Sequence, residues 1–264
     1  MSNPGDWVVR SGAARDVCRI RLVCFPQAGG GTLAYRPWMP ELAPDVEVLP
    51  VVLPGRDSRY GEPPISDLAQ LARAAAEGLR PVLFDQEHDV PYAFFGHSLG
   101  AVLAYETARI LSDKHHPPAL LIVSGSAPPH RAATAVRPCH TLPDEEFLTE
   151  VVRLGGIADA ALDEPELVRM MFPVLRADFT AAETYVHATA APLDCPLVVY
   201  VGDTDAGVRR AQLTEWDRAT NVRPVRHRVF EGDHFYLDDA RRPLLRALRD
   251  DLQEAVNAGR TLRR

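Results

Sequence analysis

The chain has 264 residues, 46% of them apolar, enough to bury one sizeable core, so a single domain over residues 1–264 carrying an insertion is expected rather than two independent units. With 36 acidic residues against 29 Lys plus Arg, the formal charge of -7 disfavours any general affinity for nucleic acid or anionic membrane. No run approaches the roughly 20 apolar residues of a membrane span, and residues 1–14 lack the apolar stretch of a secretory signal, so a cytoplasmic protein is expected. Cys18, Cys24, Cys139 and Cys195 show neither zinc-site spacing nor disulfide density and read as reduced thiols, mostly in the core.

In chain order, residues 19–26 form the first strand-length apolar run, followed by the loop Phe25-Pro26-Gln27-Ala28-Gly29-Gly30-Gly31. That loop has neither G-x-G-x-x-G spacing nor Gly-Lys-Ser/Thr, which argues against a nucleotide cradle. Residues 46–53 read as a second strand and 67–83 as an amphipathic helix; 91–96 and 119–124 read as strands around a helix over 98–112. Residues 195–202 and 225–230 complete the strands, and 240–258 carries helical periodicity. Strands alternating with helices predict a mostly parallel sheet covered on both faces. Residues 143–187 break the rhythm with about three helical segments and no strand. A helical insertion above the strand ends sits where such sheets bind ligands, so it is expected to shape a pocket and move as a lid.

The strongest chemical signal is Gly96-His97-Ser98-Leu99-Gly100, lying between a strand and a helix. This is the G-x-S-x-G nucleophile elbow of the α/β-hydrolase fold, in which the serine occupies a strained turn and flanking small residues let strand and helix approach closely. A serine hydroxyl needs a base to take its proton, and in this fold the order is serine, acid, histidine. After Ser98 come His115, His116, His130, His140, His187, His227 and His234. Only His234, in Glu231-Gly232-Asp233-His234-Phe235, lies in a loop between the last strand and the last helix, where this fold carries its base. The acid belongs after the preceding strand, where Asp203 and Asp205 compete. Asp205 is favoured because Gly-x-x-Asp carries the carboxylate past the turn toward the histidine loop. The tetrahedral intermediate needs two backbone donors: Leu99 N–H, next to the nucleophile, and Ala28 N–H, from the glycine loop after the first strand.

With these pieces placed, the sequence resembles the type II thioesterases that accompany polyketide synthases and non-ribosomal peptide synthetases, and the related enzymes that release chains from fatty acid synthase. The likeness rests on Cys24-Phe25-Pro26 with Ala28-Gly29-Gly30, on Leu53-Pro54-Gly55-Arg56 with Arg59 and Glu62-Pro63-Pro64, and on the elbow. It continues through Leu154-Gly155-Gly156, Leu175-Arg176-Ala177-Asp178-Phe179 with Glu183-Thr184-Tyr185, Gly202-Asp203-Thr204-Asp205 with Trp216, and Gly232-Asp233-His234-Phe235-Tyr236. The chain departs from many relatives at Gln27, where they have histidine, and at Ala206, where they have proline.

The resemblance implies Ser98, Asp205 and His234 as the triad and residues 143–187 as a mobile lid. It implies a substrate acyl group held as a thioester on the phosphopantetheine arm of an acyl or peptidyl carrier protein, and an editing role. Arg56, Arg59 and Arg176 recur in the pattern without a catalytic role. No metal or cofactor is called for, and a monomer is expected. Two other readings share these residues: a small-ester or lipid hydrolase with the same triad, and a catalytically silent module that binds carrier proteins.

Overall fold

The computed structural model describes residues 7–10, 17–84, 90–113, 116–131, 138–157, 164–188, 190–208 and 210–262. In chain order the elements are β1 Ile20–Phe25, α1 Trp38–Leu42, β2 Val46–Pro50, α2 Leu68–Leu83, β3 Tyr92–His97, α3 Leu99–Ser112 and β4 Leu120–Ser124. There follow α4 Asp144–Arg153, α5 Pro165–Glu183, β5 Leu197–Gly202, α6 Arg210–Leu213, β6 Arg226–Phe230, α7 Tyr236–Asp239 and α8 Arg241–Leu262.

The six strands form one sheet in the order β2-β1-β3-β4-β5-β6, parallel at every pairing. Strands buried on both faces explain the near-continuous apolar runs. On β3, Tyr92 and Phe94 face the helices α2 and α3, whereas Ala93 and Phe95 face Trp38 of α1 and Leu244 and Leu248 of α8. Each fully buried aliphatic side chain contributes about 1.5–3 kcal/mol, so this two-sided core supplies most of the driving force. The N-terminus of α2 is capped by Asp67, whose Oδ1 accepts the Gln70 N–H at 2.7 Å. Its C-terminus is held by buried Arg21 of β1, which donates to the carbonyls of Val82 at 3.0 Å and Leu83 at 3.3 Å.

The six expected strands are present, and the differences are local. β2 ends at Pro50 rather than residue 53, because Val51 turns to form an antiparallel bridge with Val8. The last helical run is one unbroken helix, α8, that continues to Leu262, and a single unexpected turn, α7, precedes it. The short α1 was not expected; its five residues, with Trp38 and Leu42 buried, are too few to show a helical period. Between β4 and β5 the described residues hold two helices where about three segments are expected, and residues 158–163 lie outside them. Pro173 lies inside α5 on its exposed side without ending the helix. This insertion has a small core of its own, in which Phe147 of α4 meets Phe172 and Phe179 of α5 edge-on at 5.5 Å each, alongside buried Val151, Ile157 and Leu175.

The chain lays β2 on one side of β1 and then returns to place β3 on the other. That reversal leaves a crevice at the carboxyl ends of β1 and β3, the position where open parallel sheets bind ligands.

Candidate active site

Ser98 sits at the end of β3 in a backbone conformation of φ 55° and ψ −120°, which side chains other than glycine rarely adopt. The strain is held by closely packed backbone. A Cβ added at Gly100 would lie 2.2 Å from the Phe25 carbonyl oxygen, and one at Gly96 would lie 2.1 Å from the Gly100 carbonyl oxygen. The turn after β3 and the loop after β1 are therefore pressed together, which carries Ser98 beside Ala28. Leu99 N–H is the first of the unsatisfied donors that begin any helix, here α3. Ala28 N–H has no acceptor among the described residues.

His234 follows β6 and Asp205 follows β5, adjacent strands paired through Gly202 and Phe230. The His234 Nδ1 lies 2.9 Å from Asp205 Oδ2. Asp205 is buried, and its other oxygen accepts the Gly207 N–H at 2.9 Å. With Nδ1 donating to the carboxylate, the basic lone pair falls on Nε2. Asp203 does something else: exposed, it accepts the Gly232 N–H at 3.0 Å and so ties the two loops together. Of the two aspartates, Asp205 is the one in contact with the His234 ring.

Ser98 and His234 line the same two adjoining cavities. The larger, of about 510 Å³, is walled by Gln27, Ala28 and Leu99 on the sheet side and by Val152, Leu154, Phe179 and Ala182 from the helical insertion. The smaller, of about 290 Å³, includes Leu68, Val102, Ser126, Arg131 and Gln212. The other histidines are engaged elsewhere: His130 with Glu215, His140 with Glu183, His187 with Tyr185, His227 with Asp217, and His116 against the Phe84 ring. His115 lies outside the described residues. All four cysteines are free, with Cys24 and Cys195 buried and Cys18 and Cys139 partly exposed. Burial pushes the Cys195 thiol up to about 12, so it stays protonated at neutral pH.

One group escapes sequence reasoning. His97, fully buried, shares a hydrogen bond of 2.9 Å between its Nδ1 and Ser124 Oγ, which in turn lies 2.6 Å from the Tyr236 hydroxyl. Its ring centre is 4.9 Å from that of His234. Burial pushes its pKa well below the ordinary histidine value, and the charge of His234 pushes the same way, against weaker opposition from the His234 and Ser124 backbone. A neutral imidazole therefore lies beside His234. The available signal was a polar residue inside an otherwise apolar strand.

Comparison with known proteins adds the family. The thioesterase domain model matches residues 20–252. The chain belongs to the thioesterase family. Thioesterase PikA5 of Streptomyces venezuelae is 41% identical over 236 residues, covering 89% of this chain and 81% of that one. The structure of RedJ, a thioesterase from the prodiginine pathway of Streptomyces coelicolor, is 37% identical with a TM-score of 0.81, covering 91% of this chain and 88% of that one. The type II thioesterase BorB of the borrelidin cluster is 36% identical with a TM-score of 0.82, covering 97% of this chain and 99% of that one. The thioesterase is a hydrolase acting on acyl thioesters, on the α/β-hydrolase fold, and its relatives are type II thioesterases of polyketide and non-ribosomal peptide pathways.

Proposed function

We propose that this thioesterase is an editing enzyme that hydrolyses acyl groups from the phosphopantetheine arm of carrier proteins in a polyketide or non-ribosomal peptide synthase. The supporting observation is the His234–Asp205 pair at 2.9 Å, with Ser98 in its strained turn on the same cavity. Two relatives, thioesterase PikA5 at 41% identity and the gramicidin S biosynthesis protein GrsT at 33%, point the same way.

In the proposed reaction His234 Nε2 takes the Ser98 hydroxyl proton as Oγ attacks the thioester carbonyl carbon, and the Ala28 and Leu99 N–H groups hold the oxyanion. The C–S bond then breaks, and His234 returns the proton to the departing sulfur. A thiol pKa of about 8.5 makes sulfur a good leaving group, so protonating it demands less than protonating an alcohol. A water, deprotonated by the same imidazole, attacks the acyl-serine and releases the carboxylic acid with Ser98 restored. Asp205 holds His234 in the tautomer this requires and stabilises its charged form. No step calls for a metal or cofactor. The helices α4 and α5 act as a lid whose apolar side chains hold the acyl chain without demanding one shape, as editing of varied stalled intermediates requires.

A panel of matched butyryl substrates tests the reading: a carrier-protein thioester, a free pantetheine thioester and an oxygen ester. Highest kcat/KM on the carrier-bound thioester is expected. A strong preference for the oxygen ester would overturn it.

A further inference from the structure

Two sequence signatures left without a task by this chemistry, the Pro54-Gly55-Arg56 turn and the Leu175-Arg176-Ala177-Asp178-Phe179 run of α5, meet the glycine loop after β1 at one buried point. Asp178 is 1% exposed. Its Oδ2 accepts the Gly29 N–H at 2.8 Å and Arg56 Nη1 at 2.7 Å, while Oδ1 accepts Arg56 Nη2 at 2.7 Å. Arg56 Nη1 also donates to the Gly30 carbonyl at 2.9 Å. The ion pair therefore grips an N–H and a C=O of the two residues that follow Ala28. Gly29 has φ +71°, and a Cβ there would meet Leu175 Cδ2 at 2.3 Å, so α5 is seated directly on the loop.

An oxyanion donor helps only if it is aimed before the charge develops. Ala28 precedes three consecutive glycines, the residues with the most backbone freedom to lose. Gly29 N–H belongs to the peptide plane that begins at Ala28, so fixing that N–H fixes the plane and restricts how the Ala28 N–H can turn. A charged acceptor, itself held by a two-pronged guanidinium, makes a stronger clamp than a neutral group would.

We propose that Asp178, held by Arg56, is a positioning residue that clamps the loop after β1 and so aims the Ala28 N–H at the reacting carbonyl. This rests on the oxyanion role proposed above for Ala28. It also ties α5, although it belongs to the inserted helices, to the loop after β1 through Leu175 and Asp178.

A buried ion pair kept only for stability can be exchanged for apolar residues of similar volume with little loss. That separates the two possibilities. Asp178→Asn, Arg56→Lys and the double variant Arg56→Met with Asp178→Leu are assayed on a butyryl thioester of N-acetylcysteamine. Asp178→Asn is expected to lower kcat about 10- to 100-fold, somewhat less than outright loss of an oxyanion donor, with KM within about threefold. Affinity for an alkyl boronate, whose tetrahedral adduct with Ser98 places an oxygen in the same position, falls in parallel. The double variant recovers thermal stability but not kcat. A folded double variant with kcat within about threefold of the wild type overturns the proposal. Should both Asp178 variants fail to fold, Arg56→Lys decides: lowered kcat at unchanged KM supports the clamp, and unchanged kcat overturns it. Ser98-dependent turnover indifferent to Asp178 sinks the clamp alone, whereas turnover surviving Ser98→Ala sinks the serine chemistry and the clamp with it.

Discussion

The two walls of the larger cavity are built by different rules. On the sheet side, Ser98, Leu99, Asp205 and His234 stand on turns directly after β3, β5 and β6, where backbone is packed against backbone, as at Gly100 and Phe25. On the other side, Val152, Leu154, Phe179 and Ala182 are ordinary apolar side chains of the helical insertion, which has a small core of its own. Bond making needs reacting atoms placed to a fraction of an ångström, whereas holding an acyl chain needs only apolar surface of suitable extent. Asp178 joins the two walls, reaching from α5 to Gly29.

Substitutions on the sheet wall should therefore cost kcat, and those on the helical wall should change substrate preference. The largest effects belong to Ser98→Ala and His234→Ala, each expected to reduce kcat by at least about 10⁴-fold in a folded protein. Steady-state assays with circular dichroism check this, and residual turnover above one per cent would break the contrast at its strongest point. Next comes Asp205→Asn, expected to lower kcat about 10²- to 10⁴-fold at similar KM, while Asp203→Asn, whose retained oxygen still accepts the Gly232 N–H, stays within about threefold. A reversed order would mean that His234 takes its working partner from Asp203.

How much of this was legible in the sequence follows the range of each interaction. The elbow was legible because strand, turn, serine and helix are contiguous. His234 stands out because one histidine follows the last strand, and turn spacing together with the family resemblance favours Asp205 over Asp203. The strands were read from apolar runs because burial on both faces leaves little else to read. The Arg56–Asp178 clamp was not, since its members are 122 residues apart and each motif alone looks like an ordinary ion-pair partner. His97 was overshadowed by the serine beside it, and its meaning depends on Ser124 and Tyr236, from different elements. α1 is too short for periodicity to reveal.

On the helical wall, Phe179→Ala removes a ring that meets Phe147 and lines the cavity. KM for longer acyl thioesters should rise about 3- to 30-fold with kcat largely kept, the size expected for lost apolar contact. An equal loss of kcat on every chain length would place Phe179 with the chemistry instead. The smallest effect concerns His97. Because its pKa is lowered in the folded state, the unfolded chain binds the extra proton, so the stability it contributes is present above the unfolded value near pH 6.5 and is lost as pH falls below it. The wild type should lose up to about 1.4 kcal/mol per pH unit there relative to His97→Gln, which cannot titrate. Parallel stability curves in urea from pH 7 to pH 5 would show that burial does not keep His97 neutral.

The central claim, that Ser98 carries the acyl group through turnover, is tested most directly by mass spectrometry of rapidly quenched enzyme during hydrolysis of a butyryl thioester. The account predicts one butyryl adduct on the peptide containing Ser98, absent in Ser98→Ala. Turnover with the acyl group on Cys139 or another residue, and none at Ser98, would contradict it.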